Sequence, residues 1–414
     1  MLHILVKVLE APQVFACERL ERIFSQQALL SPSPAMPTPV YRADGVAARV
    51  PYTPTYVLED VLGSRGPVSQ RFVLPSAATS LWPSVKSSDV AVLEAGTNRV
   101  TMMSPTGQLK RTLAAPLDTQ GGRGASSRPL RHPAGIASYE NDLIIADTHN
   151  HRLLRMRLDD GRPLSNTTRG QMHFGSGTSD LRYPRGLATI QHAWPPHGTL
   201  PLLYVADSGN HRVCVFAIAP PSPHILALPG PTPTVTSNTM TPLISFGGPG
   251  NGASNMDTPS AIAVGHMHVG GKLEPRLFVA DTNHDRVMEW RFFEDTTRYD
   301  HIRNIGQAGS LPGYFHKPSG VALLLSPDRF RERSRLFVAE GTGGRTQVFS
   351  ASGRHMQVLI PPLAGRLGGI CIASRPSIDE AFEDHLVMVV GRERNSLFVY
   401  RREVKQVRFE HPKG

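Results

Sequence analysis

Residues 202–216 read LLYVADSGNHRVCVF, in which an apolar run ends at an acidic residue and a short turn leads into a second apolar run. The same arrangement occurs in five other segments, at 89–103, 142–156, 276–290, 335–349 and 385–399. The acidic position recurs at intervals of roughly 50 to 75 residues and is occupied by Glu94, Asp147, Asp207, Asp281 and Glu340, with Gly391 in the last copy. Paired short strands repeated along a chain in this way predict a β-propeller, a closed ring of small sheets.

Most copies begin with a proline that is followed two residues later, most often, by a glycine, as in Pro184-Arg185-Gly186 and Pro318-Ser319-Gly320. Proline restricts φ where the chain turns inward, and it lacks an N–H group that a neighbouring strand would need. Small side chains then suit the innermost strand of each sheet, which crowds against its counterparts around a central channel. The next strand is apolar on both faces, which is typical of a strand buried between two neighbouring sheets.

The acidic residue that ends this second strand is predicted to accept hydrogen bonds from backbone N–H groups of the turn that follows it. The Asn-His-Arg sequence that closes the turn in two copies supplies side chains that can lock it. The residues predicted to hold the repeat together are Asp147, Asn150, His151, Arg152, Asp207, Asn210, His211, Arg212, Asp281, Arg286, Glu340 and Arg345.

This order of opening proline, Ala-Asp strand end, Asn-His turn and glycine-rich linker resembles the NHL repeat over about residues 56–402. The resemblance implies an all-β fold, a six-bladed NHL/TolB-like propeller with four antiparallel strands in each blade. The first, fifth and sixth copies keep only part of the turn. The chain also differs from the TRIM-NHL proteins, because its three cysteines cannot supply the zinc ligands of a RING domain.

The sequence predicts two parts, an N-terminal extension over 1–54 and the propeller over 55–410. Within the extension, residues 13–30 have the periodicity of a short helix. The prolines between 31 and 54 are typical of a stiff linker.

Closure of the ring requires a strand from the opposite end of the chain. We expect 55–62 to complete the blade formed by 366–402, because it precedes the first glycine linker, where every other copy has its outer strand. Residues 403–409 are an alternative strand for the same edge.

The cysteines and the N-terminal residues give information about the cellular compartment of the protein. Cys17, Cys214 and Cys371 form no CxxC motif and are interpreted as free thiols in a reducing compartment. Lys7 interrupts the N-terminal apolar stretch, which makes a poor secretory signal, and no apolar run reaches the ~18 residues of a bilayer span. We therefore expect an intracellular, cytoplasmic protein without a membrane span, and the sequence leaves mitochondrial import and the oligomeric state open.

The two faces of such a ring differ in this chain. Connections from first to second and from third to fourth strands emerge on one face, here called the elaborated face. It is predicted to carry loop insertions at 158–170, 190–201, 219–242, 266–275, 326–335 and 374–384. The opposite face, called the short face, carries much of the formal net charge of +10. Its candidate residues for binding RNA or an acidic partner are Arg65, Arg71, Arg123, Arg128, Arg131, Arg182, Arg185, Lys317 and Arg366.

The leading functional hypothesis is a non-catalytic scaffold that binds a protein partner, as a subunit or adaptor of a larger assembly. Long loops on a rigid scaffold are common binding sites, so the elaborated face and the N-terminal extension are the predicted attachment points. The arginine-rich run 329–335 on that face is interpreted as a solvated loop. No cofactor is expected.

RNA binding by the short face is the first alternative, because a basic surface attracts phosphate groups. Some TRIM-NHL propellers bind RNA on the corresponding face, so the resemblance supports this hypothesis. Aromatic side chains that could stack on bases are sparse on this face and comprise Phe72, Tyr183, Tyr314 and Phe315.

A metal-dependent lyase or hydrolase of the peptide-amidating-lyase type is the second alternative, because that class shares the propeller and holds zinc through channel histidines. His132 and His316 lie near blade-opening prolines, and His266 and His268 have the spacing that places two rings on one face of a strand. A third ligand is not evident. The chain also lacks GxSxG, P-loop and HExxH motifs, and we therefore expect no enzymatic activity.

Overall fold

The computed structural model describes residues 55–63, 71–81, 89–114, 129–164, 177, 180–195, 197–218, 240–326, 334–362, 365–375 and 384–403. These residues form 23 β-strands in six antiparallel sheets, and they contain no α-helix. The first strand of each sheet contacts the first strand of the next, and the last sheet contacts the first, so the sheets form a closed ring. The fold is a six-bladed β-propeller, as the sequence predicts.

The first half of the ring contains three blades. Blade 1 consists of β2 (Pro75–Ser80), β3 (Val90–Glu94), β4 (Arg99–Met103) and β5 (Leu109–Ala114). Blade 2 consists of β6 (Gly135–Tyr139), β7 (Asp142–Asp147) and β8 (Arg152–Arg157), and residues 165–176 that follow lie outside the described part of the chain. Blade 3 consists of β9 (Pro184–Ala193), β10 (Thr199–Asp207), β11 (Arg212–Ile218) and β12 (Met240–Gly247).

The second half completes the ring. Blade 4 consists of β13 (Pro259–Val269), β14 (Lys272–Asp281), β15 (Arg286–Phe293) and β16 (Arg298–Ile305). Blade 5 consists of β17 (Pro318–Leu324), β18 (Arg335–Glu340), β19 (Thr346–Ser350) and β20 (His355–Leu359). Blade 6 consists of β21 (Leu367–Arg375), β22 (Asp384–Gly391), β23 (Ser396–Glu403) and, from the start of the chain, β1 (Thr55–Leu62).

The hydrophobic core lies between neighbouring blades. The second strand of each blade is buried on both sides, as in β10, where Tyr204 and Val205 each have at most 1% exposure. Tyr204 packs in a cluster with Met288 of blade 4, whereas Val205 packs in a cluster with Ile144 of blade 2. Each such side chain joins two blades, and burial of one large apolar side chain contributes about 1.5–3 kcal/mol.

The innermost strands approach one another closely, as the small residues after each opening proline predict. A Cβ atom added to Gly186 would lie 2.5 Å from Ala261 Cα in the next blade. A Cβ atom on Gly368 would lie 2.7 Å from Ser76 O of blade 1. Larger side chains at these positions would therefore push the blades apart.

The N-terminal strand closes the ring. β1 pairs antiparallel with β23, with Tyr56 opposite Arg402 and Leu62 opposite Leu397, which confirms the predicted role of 55–62. Gln357 of blade 5 holds the same strand from the other side, since its side chain accepts from the N–H of Tyr56 at 2.9 Å and donates to its carbonyl at 2.8 Å. Of the competing segment 403–409, only Glu403 lies within the described residues.

Two predicted loop insertions on the elaborated face are strand. β9 and β10 stay paired up to Ala193 and Thr199, and β13 and β14 up to Val269 and Lys272. The prediction of loops over 190–201 and 266–275 is therefore wrong. These extensions remain strands because alternate side chains find buried positions, as Met267 does against blade 5 at 2% exposure.

Other predicted insertions are shorter than expected. Met240 pairs with Ile218, so β12 includes 240–242, and 219–239 lies outside the described residues. β21 likewise extends to Arg375, which pairs with Asp384.

Arg335 also differs from its prediction as part of a solvated loop. It is the first residue of β18, and its side chain is buried, with Nη1 donating to the carbonyl of Ser334 at 3.1 Å. The preceding residues 327–333 of that run lie outside the described part of the chain.

Several predictions fall on residues that the structure does not describe. They include the helix over 13–30, the linker over 31–54, Cys17, Arg65, Arg123 and Arg128. The division at residue 54 stays a prediction. Cys214 and Cys371 are unpaired and buried, and burial raises the pKa of each thiol to about 12. In the described parts of the chain, no helix is long and apolar enough to cross a membrane.

Candidate functional site

The acidic residues of the repeat are buried on the short face and bind the start of their own blade. Asp207 accepts hydrogen bonds from the N–H of Arg182 at 2.6 Å and from Asn210 Nδ2 and Arg212 Nε at 2.8 Å each. Burial raises the pKa of the Asp207 carboxyl, and these three donors oppose that shift. The same backbone contact is made by Val73 to Glu94, Arg131 to Asp147, Asp257 to Asp281 and His316 to Glu340.

These contacts correct one prediction. The backbone N–H group that each carboxylate binds belongs to the end of the interblade linker, two residues before the blade-opening proline, and not to the turn that follows the acid. The physical reason is that the second strand runs beside the first, so its last residue lies next to the residue that enters the blade.

An arginine five positions after each acid completes the network. Arg212 pairs with Asp207 at 2.8 Å, and its Nη2 donates to the carbonyls of Gly177 and Asp180 in the linker, both at 2.7 Å. The equivalent ion pairs are Arg99–Glu94, Arg152–Asp147, Arg286–Asp281 and Arg345–Glu340. The sequence places Glu94 at the acidic position, but Glu94 and Arg99 were not predicted among the residues that hold the repeat together, although they have the same five-residue spacing.

A second network joins each blade to the next. His211 Nδ1 accepts from the N–H of Thr258 at 3.2 Å, and His151 Nδ1 accepts from the N–H of Tyr183 at 3.0 Å. Asp285 Oδ1 accepts in the same way from the N–H of Lys317 at 2.6 Å, and Asn395 Oδ1 accepts from the N–H of Leu74 at 2.7 Å. All four acceptors have positive φ. We call these contacts the interblade latches, and the latch from Asn395 joins blade 6 to blade 1.

The side chains of the predicted motif residues therefore make contacts that hold the fold together. Their carboxylates, guanidinium groups and imidazoles bond to linkers and turns on the short face. Asp285 and Asn395 were not predicted, because their residue types differ from histidine, but both stand where the other copies have the second residue of Asn-His.

The central channel opens on the short face through a cavity of about 210 Å³. All six residues that follow the blade-opening position line it, and five of them are small: Ser76, Ala134, Ser260, Ser319 and Gly368. The sixth is Arg185 of blade 3. A second arginine, Arg392 of blade 6, also lines the cavity, together with His132 and His149 of blade 2.

Most hydroxyl groups around this channel mouth already donate hydrogen bonds to backbone carbonyls of the next blade. Ser76 Oγ donates to the carbonyl of Pro133 at 2.8 Å, and Thr148 Oγ1 donates to the carbonyl of Pro184 at 2.8 Å. The same contact to the next blade is made by Ser208 to Pro259, Thr282 to Pro318 and Ser319 to Leu367. The cavity therefore presents mainly two guanidinium groups and two imidazoles to a ligand.

The environment of these groups is positive. The rings of His132 and His149 lie 4.7 Å apart. The pKa of His149 is lowered, first by burial and then by the neighbouring positive groups, which include His132, Arg131 and Arg185. The pKa of Arg185 is lowered as well, first by burial and then by the charge of Arg392.

The predicted basic residues are distributed unevenly over the short face. Arg71, Arg131, Arg182 and Arg366 are exposed, and Arg366 pairs with Glu393 at 3.4 Å. Lys317 is half-buried, and its Nζ donates to Asn283 Oδ1 at 3.3 Å. Among the members of this set that the structure describes, only Arg185 lines the channel mouth.

Two of the four aromatic side chains considered for base stacking belong to the core. Phe72 is 1% exposed and Phe315 is fully buried, so neither is available to a nucleic acid. Tyr183 is exposed, with its ring 4.4 Å from that of His151, and Tyr314 is half-buried.

Two of the histidines considered as zinc ligands lie beside other side chains. His316 Nε2 lies 3.0 Å from Ser310 Oγ, and the His266 ring lies 6.2 Å from that of His192. Among the residues that the structure describes, no group of three or more His, Cys, Asp or Glu side chains could hold a metal ion.

Comparisons with known proteins identify no family for this chain. No protein-family model matches the chain, and no curated protein matches it. Virginiamycin B lyase from Staphylococcus aureus is similar at 9% identity, with 84% of this chain and 99% of that chain covered and a TM-score of 0.43. Regucalcin, a calcium-binding protein from Agrobacterium tumefaciens, is similar at 11% identity, with 81% and 92% covered and a TM-score of 0.44.

A chain of a nidogen–laminin complex is similar at 14% identity, with 72% of this chain and 84% of that chain covered and a TM-score of 0.42. At these identities and TM-scores the similarities support no conclusion about family or function. Membership of the NHL family stays a prediction.

Proposed function

We propose that this NHL-like propeller is a non-catalytic binding platform that docks a protein partner on its short face, as a subunit or adaptor of a larger assembly. The observation that carries the proposal is the distribution of exposed apolar side chains. Nine large apolar residues are exposed in the described part of the chain, and five of them lie on the short face: Val73, Leu74, Tyr183, Leu311 and Ile360.

Apolar and arginine side chains together favour a protein partner. Protein interfaces combine a desolvated apolar centre with aromatic and arginine residues, whereas RNA recognition relies on phosphate contacts and stacking. Leu311 and Ile360 are 66% and 67% exposed, and apolar surface of this kind has no counterpart in a phosphate backbone. The exposed Arg71, Arg131 and Arg182 would attract acidic side chains of the partner.

The elaborated face supports docking less strongly. Its described residues expose Leu273 and Leu325, and its two long hairpins pack against neighbouring blades. The prediction that its loops and the N-terminal extension attach the partner stays a prediction. The alternatives of RNA binding and metal-dependent catalysis are not favoured over protein docking, since Phe72 and Phe315 are buried and no described cluster could hold a metal.

Site-specific photo-crosslinking in cells tests the proposal. A photoreactive amino acid at Leu311 is expected to give a discrete protein adduct, whereas the same amino acid at Leu273 on the opposite face is expected to give none. The two positions are a matched pair, because both side chains are more than half exposed. Arg131→Glu should abolish the adduct at Leu311, and Arg401→Glu, on the third strand of blade 6, should not.

The result also separates the alternatives. An adduct that disappears after RNase treatment would replace protein docking by RNA binding. Equal adducts from the two positions, or none from Leu311, would refute the short face as the docking surface.

A further inference from the structure

We propose that the short-face mouth of the central channel binds a small phosphate-bearing anion between Arg185 and Arg392. This inference is independent of protein docking, because it concerns the floor of the channel mouth and not the exposed apolar rim. It depends on the repeat pattern, on the lack of a carboxylate of the described residues within ion-pair distance, and on the size and composition of the cavity.

The repeat pattern shows that both arginines depart from their structural equivalents. The residue after the blade-opening position is small in five blades and is Arg185 in blade 3. The residue after the acidic position is Ala95, Thr148, Ser208, Thr282 or Gly341 in five blades and is Arg392 in blade 6. Small residues therefore satisfy the fold at these positions, and the two arginines are additions that both line the same cavity.

The two guanidinium groups lack the partners that other arginines of this face possess. Arg99, Arg152, Arg212, Arg286 and Arg345 each pair with a buried carboxylate. In the described part of the chain, neither Arg185 nor Arg392 has a side-chain hydrogen bond or a carboxylate within 4.0 Å. Glu393, next to Arg392 in sequence, pairs with Arg366, and burial and the charge of Arg366 lower the pKa of Arg392 more than the charge of Glu393 raises it.

A bound anion would supply the missing charge. Blades 3 and 6 stand opposite each other in a six-membered ring, so the two arginines face the channel from opposite sides. Two cations that line one cavity repel each other, and the charge of Arg392 is the second cause, after burial, that lowers the pKa of Arg185. An anion between them converts that repulsion into two charge-assisted interactions.

The composition of the cavity favours phosphate over a single carboxylate. One guanidinium fork satisfies both oxygens of a carboxylate, whereas a phosphoryl group has three oxygens and about two negative charges. Two guanidinium groups and the imidazoles of His132 and His149 supply enough hydrogen-bond donors for the three phosphoryl oxygens. The volume of about 210 Å³ is many times the ~10–15 Å³ needed for one water.

Isothermal titration calorimetry of the full-length protein tests the site, with pyrophosphate, inorganic phosphate and AMP as ligands and succinate as a dicarboxylate control. Arg185→Ser introduces the residue found in blades 1, 4 and 5, and Arg392→Thr introduces the residue found in blades 2 and 4. Each variant is expected to weaken pyrophosphate binding by at least about tenfold, since a hydrogen-bonded charge contributes ~1.5–3 kcal/mol. Arg401→Ser removes the same charge outside the channel and should leave the affinity unchanged.

The comparison of ligands identifies the source of the phosphate. Tighter binding of AMP than of pyrophosphate would indicate an organic phosphate ester, and the reverse would indicate an inorganic anion. Arg185→Lys keeps the charge without the planar fork and should give an intermediate affinity. The proposal fails if millimolar pyrophosphate gives no saturable binding, if both arginine variants bind it like the parent, or if succinate binds equally well. It also fails if only single-stranded RNA binds through these arginines.

Discussion

His211 shows how one side chain can serve two parts of the ring. Its backbone has a φ of 56°, the left-handed conformation that ends the turn, while its imidazole accepts the N–H of Thr258 in the next blade. Asn395 performs the same role between blades 6 and 1, also at positive φ. Asparagine tolerates this backbone conformation better than most residues, which explains why it can replace histidine.

We predict that His211→Asn is tolerated and that His211→Ala is not. Alanine leaves the Thr258 N–H without its acceptor and tolerates positive φ less well than histidine or asparagine, so the free energy of unfolding should fall by about 1–3 kcal/mol. His211→Asn should change it by less than about 1 kcal/mol. Urea unfolding followed by fluorescence measures both, and equal losses for the two variants would contradict the latch.

His192 has a different environment, between the hairpin of blade 3 and blade 4. Its Nε2 lies 3.1 Å from Tyr204 Oη, its Nδ1 lies 2.8 Å from the carbonyl of Ala193, and its ring is 4.7 Å from that of Phe292. Burial is the main cause that lowers its pKa from 6.5 to about 4. The ring is therefore neutral in the folded protein at neutral pH.

This shift predicts a pH dependence of stability. Because folded His192 binds a proton more weakly than the unfolded chain does, its contribution is complete above pH 6.5 and is lost as the pH falls towards about 4. The full effect corresponds to about 3 kcal/mol. His192→Gln should flatten the decline of unfolding free energy over this range, and His197→Gln in the same hairpin should not. Parallel pH profiles for the parent and His192→Gln would refute the assignment.

At the scale of elements, the long hairpins are structural extensions of their blades. Trp194, in the turn that joins β9 to β10, stacks on Phe292 of blade 4 with ring centroids 5.0 Å apart and an interplanar angle of 13°. The hairpin is thereby fixed to the neighbouring blade. Residues 219–239 differ from this hairpin. They connect the end of β11 to the start of β12, where Ile218 and Met240 already pair with each other.

We predict that 219–239 can be replaced by Asn-Gly without loss of the fold. Two residues suffice to join paired antiparallel strands, and Asn-Gly favours the turn that matches their twist. The melting temperature should change by no more than about 3 °C. The matched control replaces 194–198 by Asn-Gly between the paired residues Ala193 and Thr199, which removes Trp194 and should cost about 3–5 kcal/mol. Calorimetry that finds both replacements equally harmful would refute this view.

At the scale of the whole molecule, stability depends on closure of the ring. β1 is the strand that connects the two ends of the chain, and Tyr56 is its anchor, with 3% exposure and a ring 5.0 Å from that of Phe337 in blade 5. Gln357 holds the backbone of the same residue through two hydrogen bonds. β1, which comes from the start of the chain, therefore pairs with blade 6 and also contacts blade 5.

Tyr56→Ala should therefore lower the free energy of unfolding by about 3–5 kcal/mol, the usual cost of removing a buried aromatic ring. Leu58→Ala in the same strand is the control, because Leu58 is 39% exposed and should cost less than about 1 kcal/mol. Guanidinium unfolding measures both. Similar values for the two variants would show that β1 does not anchor the ring.

Much of the fold follows from local features of the sequence. Pro184 and Asp207 mark where β9 begins and β10 ends, and both positions were recognisable because proline and turn-forming residues act on their immediate neighbours. The apolar second strands and the closing segment 55–62 were recognisable for a similar reason, since strand patterning repeats over a few residues. The number of blades then follows from counting the repeats.

Only the tertiary structure decided which distant groups meet. It placed Arg185 and Arg392 in one cavity, gave Asp285 and Asn395 the same role as His151 and His211, and kept 190–201 and 266–275 in strands. These outcomes depend on contacts between blades, which no local pattern encodes. Ring closure brings positions of different blades together around one axis, and their chemistry becomes a site only after that closure.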